Sequence, residues 1–121
     1  DYDYVIDAID MVTSKILLVE ECNKKGLKLI SSMGMGNKLD PTKIVVTDIH
    51  KTHTCPLAKV MRKELKDRRI KKLKVVYSEE QPQELKKKVM NGRKVTPGSV
   101  SFVPSVGGLT IASVVVNDLL K

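Results

Sequence analysis

Two carboxylates three residues apart, Asp7 and Asp10, follow a short apolar run at Tyr4 to Ile6 and precede a helical pattern. Open α/β sheets place ligands outside the carboxyl ends of their strands, so a carboxylate at such a corner can hold magnesium bridged to a nucleotide phosphate. The plainer reading is that Asp10 occupies the N-cap position and accepts a backbone N–H of the following turn. The two roles are compatible, and the local sequence leaves both open. A second group, His50, His53 and Cys55, offers three potential ligands within six residues. Structural zinc needs four ligands, and no second pair follows, so a metal is not expected there. Cys55 precedes Pro56 at a predicted helix N-terminus, where the helix dipole and nearby lysines favour a thiolate; an incidental small residue is the alternative.

A third feature is charge. From Lys59 to Lys74, nine basic residues stand against two acidic ones, and Arg62, Lys63, Lys66, Arg69 and Lys72 can share one side. Phosphate contacts that fix position without reading bases would use such a face, and a solvated helix surface is the competing reading. The net charge of +8 points the same way, towards nucleic acid first and an anionic surface second. With no Trp, one Phe and three Tyr, base stacking is not expected to contribute. The stretch "SSMGMGNK" carries Gly34 and Gly36 after a strand, but it lacks the Gly-Lys-Ser/Thr ending of a phosphate loop. A tight turn is the better reading.

The elements that must position these residues follow from periodicity. Residues 3–7 read as a buried strand, and residues 11–25 as a helix with Val12, Ile16, Val19 and Cys22 on its apolar face and Gly26 as its C-terminal cap. Residues 27–31 and 42–49 predict two further strands, the second after the turn signal Asp40-Pro41. A helix over about 54–69 has Pro56 in its first turn and Leu57, Val60, Met61 and Leu65 as its apolar face. A strand over 73–78 comes next, then a polar stretch, 79–98, read as a mobile loop. The chain ends in a short strand over 99–103, stopped by Pro104, and an apolar helix over 107–120.

Strands and helices in this order imply an α/β sheet, at least partly parallel, with helices on its faces. At 121 residues and 41% hydrophobic content, the chain suits one domain. Two cysteines 33 residues apart suit a reduced, cytoplasmic setting, and the acidic start gives no sign of a secretory leader. The most apolar stretch, 107–120, is too short and too interrupted to cross a bilayer, so no membrane partner is expected.

Taken together, "YVIDAID", "LISSMGMGNKLDPTKIVVTDIHKTHTCPLAKVMRKEL", "KVVYSEEQP" and "GSVSFVPSVGGLTIASVVV" resemble the C-terminal half of the ThiF/MoeB/HesA superfamily, in its branch of tRNA threonylcarbamoyladenosine dehydratases. The resemblance covers nearly the whole chain, and residues 34–44 are its most specific part. It implies the C-terminal half of a Rossmann-like ThiF-type adenylating domain, a mixed sheet with helices on its faces. The glycine-rich half that binds ATP would be absent, and the chain would be an inactive fragment of a larger enzyme.

In such enzymes an aspartate after a later strand lies beside the nucleotide phosphates and magnesium, and Asp10 matches it. The resemblance therefore makes Asp10 the catalytic and magnesium-binding residue. Asp10 and Lys15 would together contact ATP, and the basic residues from Arg62 to Lys72 would contact tRNA. Met11 and Lys15 stand where relatives that activate ubiquitin-like proteins carry asparagine and arginine, and paired CxxC motifs are lacking. Both departures favour the dehydratase over its alternative, an adenylyltransferase for a ubiquitin-like sulfur carrier. A non-catalytic basic nucleic-acid-binding module is a third reading. Superfamily members are usually homodimers, and the apolar final helix could contribute to that interface. A chain holding half a sheet should also expose an apolar edge.

Overall fold

In the computed structural model, residues 2–35, 38–81 and 102–121 are described, Phe102 by its backbone alone. Strand β1 is Val5–Asp7, followed by helix α1, Val12–Lys25, and β2, Leu29–Ser32. Strand β3, Ile44–Asp48, leads to helix α2, Pro56–Asp67, then to β4, Lys74–Ser78, and the described chain ends with helix α3, Phe102–Leu119. The four strands form one sheet in the order β1-β2-β4-β3. Strands β1, β2 and β4 are parallel, and β3 runs antiparallel to β4 with Val46 opposite Val76. The mixed sheet expected from the sequence is therefore present.

Alternation along β4 divides the core. Val75 and Tyr77 face α1 and α2, where Ile16, Val19, Ala58, Met61 and Leu65 close over them. Val76 and Ile30 face the other way, against Ile111, Val114 and Val115 of α3. Full burial of side chains such as Met61 and Leu65 contributes roughly 1.5–3 kcal/mol each relative to exposure. The sheet is thus covered on both faces, which suits its parallel part.

Helix ends follow local chemistry. Gly26 ends α1 in the left-handed conformation, φ 65°, and its N–H donates to the Asn23 carbonyl. Pro56 opens α2, where a missing N–H costs nothing.

Two expectations change. Helix α3 begins at Phe102, so the end of the expected 99–103 strand is helical; the rest of that strand, residues 99–101, lies outside the described residues. Pro104 does not stop a strand but sits in the first turn of α3, where the backbone N–H has no intrahelical partner to lose. Most of the 79–98 stretch also lies outside the described residues, as does Gly36.

Among the described residues, strand β1 forms one edge of the sheet and pairs on one side only. Its flank is apolar: Tyr2, Ile6, Met11 and Leu17 are exposed there and along α1. This is the apolar edge anticipated from the sequence. Among the described residues, no helix is long and apolar enough to cross a membrane.

Candidate nucleotide site at the carboxyl ends of the strands

The carboxyl ends of β1, β2 and β4 lie side by side, and α1 starts from that end of the sheet. The segment leading into α2 reaches the same end: His53 Nε2 is 3.0 Å from Glu79 Oε2, just past β4, and its ring meets Tyr77 edge to face at 5.9 Å. The N-termini of α1 and α2, each bearing partial positive charge, therefore approach one corner of the molecule.

Asp7 is the buried centre of this corner. Its carboxylate accepts hydrogen bonds from Ile9 N at 2.9 Å, from Lys15 Nζ at 2.8 Å and from Ser31 Oγ. Both members of the Asp7–Lys15 ion pair are 0% exposed. Sequence reasoning missed this pairing, although a signal was present, since Lys15 lies on the stripe of Val12, Ile16 and Val19 and must therefore point inward. A buried cation needs a buried anion. The pair ties β1 to α1, the Ser31 hydroxyl ties it to β2, and the Ile9 amide fixes the loop on which Asp10 stands.

Asp10 does not cap α1. Met11 occupies the N-cap position and makes no side-chain capping bond, which leaves the Asp10 carboxylate exposed one residue earlier. At this end of the sheet the other described carboxylates are engaged. Asp7 holds Lys15, Glu79 holds His53, Asp40 accepts from Thr42 N, and Glu80 accepts from Leu39 N and Asp40 N. Among the described residues, Asp10 is the one carboxylate here with no hydrogen bond or ion pair. An unpartnered carboxylate beside a helix N-terminus suits a magnesium ion bridged to phosphate, because that ion takes one or two carboxylates and fills its other positions with phosphate and water. No group of three or more acidic, histidine or cysteine ligands occurs among the described residues, so a metal held wholly by protein side chains is not supported.

Lys15 is therefore placed differently from its expected role. Its ammonium is bound to Asp7 inside the fold rather than open to a ligand.

A different lysine lies close to the site. Lys38, 2% exposed, donates to the Glu80 carbonyl at 2.6 Å, and together with the Glu80 carboxylate it clasps the 38–40 segment to the end of β4. Burial pushes its ammonium below the usual lysine range, with Cys55 and Glu80 opposing that shift. Burial, reinforced by Glu79, likewise pushes the Tyr77 phenol up.

The group formed by His50, His53 and Cys55 does not converge. His50 Nε2 lies 3.4 Å from the Ile70 carbonyl, His53 faces Glu79, and Cys55 is buried in the core as a free thiol. Thr54 has φ 66°, a left-handed conformation that costs a β-branched residue of order 1–2 kcal/mol, and its hydroxyl lies 2.7 Å from His53 Nδ1. The strained turn presents the His53 ring to β4.

Of the basic residues expected to contact RNA, Lys63, Lys66, Arg69 and Lys72 are exposed. Arg62 is turned inward and donates to the Thr52 carbonyl at 3.0 Å and the Thr52 hydroxyl at 2.6 Å. Arg69 follows the end of α2 with φ 59°. Arg68, which the sequence reading did not single out, is held by Glu20 and Glu64.

No protein-family model matches the chain. A tRNA threonylcarbamoyladenosine dehydratase of Bacillus subtilis (strain 168) is 48% identical over 130 aligned residues, which take in 98% of this chain and 51% of that protein. The crystal structure of the E. coli tRNA N6-threonylcarbamoyladenosine dehydratase in complex with AMP aligns with 98% of this chain and 49% of that one, at a TM-score of 0.85 and 31% identity. Its complex with ATP aligns at 0.82 and 30%, over 99% and 49%. The chain thus spans about half the length of the relatives it matches, and the matched part is their C-terminal portion. By sequence and by fold, the chain matches the C-terminal portion of the ThiF-type tRNA threonylcarbamoyladenosine dehydratases.

Proposed function

We propose that the protein carrying this chain is an ATP-dependent dehydratase of threonylcarbamoyladenosine in tRNA, and that this chain supplies the Asp10 side of its adenylation site. The substrate carboxylate would attack the α-phosphorus of ATP and release pyrophosphate, leaving an acyl adenylate. A nucleophile within the same substituent would then attack the acyl carbon. AMP would leave with the former carboxylate oxygen, so the nucleoside loses one water overall. Because the substrate brings its own nucleophile, Cys55 can remain in the core.

Support for the site rests on one observation above the others: the unpartnered Asp10 carboxylate at the carboxyl end of β1, beside the start of α1. Asp10 would hold magnesium against the nucleotide phosphates, where the ion offsets negative charge on the transferred group. Lys15 acts through Asp7, holding the 7–10 loop in place rather than touching phosphate. The exposed residues Lys63, Lys66, Arg69 and Lys72 supply backbone contacts to tRNA. On α3, Leu109, Val116 and Leu119 are exposed, as is Leu120 just past its end, and they form part of a homodimer contact, which sedimentation of the full-length protein tests directly.

The test of function is nucleoside mass spectrometry. The full-length protein is incubated with ATP, magnesium and tRNA bearing threonylcarbamoyladenosine. A nucleoside lighter by one water, formed with AMP, is expected. An unchanged nucleoside together with carrier-dependent exchange between ATP and pyrophosphate would reject the dehydratase reading and identify a protein carrier as the acyl donor.

A further inference from the structure

The basic helix face accounts for only part of the positive charge; a second concentration lies at the opposite end of the sheet from Asp10. Ile30 pairs with Lys74, so the same register two residues earlier sets Lys28 beside Lys72. Asp48 pairs with Lys74 across the antiparallel ladder, and just beyond it Ile49 N donates to the Leu73 carbonyl, which brings the helical turn bearing His50 and Lys51 to the same end of the sheet. Neighbouring strands are roughly 5 Å apart, so these cations form a row across the sheet's amino-terminal end.

Two grooves run along this row. One, of about 420 Å³, is lined by Lys51, Lys72 and Lys74 with Asp48. The other, of about 360 Å³, is lined by Lys28, Lys74 and Lys121 with Asp118.

The acidic groups here are already engaged. Asp48 spends both oxygens on backbone N–H groups, of His50 and of Leu73. Asp118 accepts from Tyr4 and Lys74 and lies 3.7 Å from Lys121. Lys28, Lys51, Lys71 and Lys72 make no ion pair among the described residues. Like charges facing one another across adjacent strands repel, so this row is destabilising until an anion bridges it. The opposite end of the sheet carries Asp10, Asp40, Glu79 and Glu80, which separates charge along the strands.

We propose that the row of Lys28, Lys51 and Lys72 is an RNA-backbone contact that grips the body of the tRNA while its modified nucleoside occupies the carboxyl end. The choice of RNA rests on the function proposed above. The spacing supports it, because the five residues of β4 span roughly 16 Å, a distance that one folded RNA bridges easily. Shallow open grooves in series suit repeating phosphates better than a single small anion. Nearby aromatic groups are not free to stack, since the Tyr4 hydroxyl is held by Asp118 and Tyr77 is buried. The contact therefore reads charge and shape, not bases.

The test compares tRNA binding by the full-length protein with that of the K28Q/K51Q/K72Q variant over a range of salt concentrations. ATP affinity serves as the check on folding. The triple variant is expected to bind tRNA at least about tenfold more weakly, with its salt slope reduced by about 2, since each lost phosphate contact removes somewhat less than one unit of slope. A K59Q variant, at an exposed lysine of α2 outside both sets of contacts, should retain the steeper slope.

Unchanged affinity and slope in the triple variant, with ATP binding intact, would overturn the proposal. So would a variant that still binds tRNA normally but loses binding to phosphatidylserine vesicles, which would assign the row to a membrane surface. Wild-type protein that binds tRNA through this row without dehydrating it would reject the proposed reaction and leave the contact standing. The two claims therefore fail separately.

Discussion

Replacing Lys15 by methionine should be among the most damaging single changes to the fold, although both side chains are long and flexible. The ammonium is fully buried and lies 2.8 Å from the equally buried Asp7 carboxylate, so its removal strands a negative charge in the interior. Such half-broken buried pairs cost about 3–5 kcal/mol. With a urea dependence of roughly 2 kcal/mol per molar, the unfolding midpoint should fall by about 2 M. Asp7→Asn should cost a similar amount by stranding the ammonium, while its side-chain carbonyl can still accept from Ile9 N.

The double variant Asp7→Asn/Lys15→Met carries no stranded charge. It should be no less stable than the worse single variant, a coupling of about 3 kcal/mol or more between the two positions. The assay is urea unfolding of all four proteins followed by circular dichroism. Additive losses, or a Lys15→Met cost under about 1 kcal/mol, would refute the reasoning and show that water or local rearrangement satisfies Asp7.

Other perturbations test other parts of the fold. The Tyr4 phenol is pushed up to about 12 by burial and by its bond to Asp118. Its contribution is fully present below the ordinary tyrosine value of 10.0 and is lost as the pH rises through about 12. Absorbance titration should show this late ionisation, and Asp118→Asn should move it towards the ordinary value; an unmoved titration would dismiss the Asp118 contact. Gly26→Ala should destabilise by about 1 kcal/mol, because φ 65° strains any side chain although nothing lies within 4 Å of the added carbon. A neutral result in urea unfolding would mean that α1 ends differently.

Local signals were strong wherever backbone chemistry dominates. Gly26 and Pro56 marked helix ends because glycine takes a positive φ at the least cost and proline alone lacks the backbone N–H. The apolar stripes of α1 and α2 marked the sides that pack on the sheet, and the structure puts both on the same face. Pro104 misled for a related reason, since its ring is tolerated equally at the end of a strand and in the first turn of a helix.

Pairings across the sheet were harder to read. The direction of β3 depends on its partner, and nothing within Ile44–Asp48 encodes it. At the site, the position of Asp10 was readable but its state was not. Capping turned on whether the helix began at one residue or the next, and Met11 took that place. Asp7 and Lys15 are eight residues apart, and only the packing of α1 against β1 and β2 brings them together with Ser31. The 38–40 clasp likewise joins Lys38 to Glu80, groups 42 residues apart.

The central claim is that Asp10 stands at the adenylation step. The direct measurement is formation of AMP and of the dehydrated nucleoside by full-length wild-type protein and by Asp10→Ala, with urea unfolding run in parallel. Because Asp10 is exposed and makes no hydrogen bond or ion pair among the described residues, its removal should change stability by less than about 0.5 kcal/mol. Turnover should fall by about 100-fold or more if it aligns the metal and phosphates. An Asp10→Ala protein that is equally stable and equally active would contradict the account.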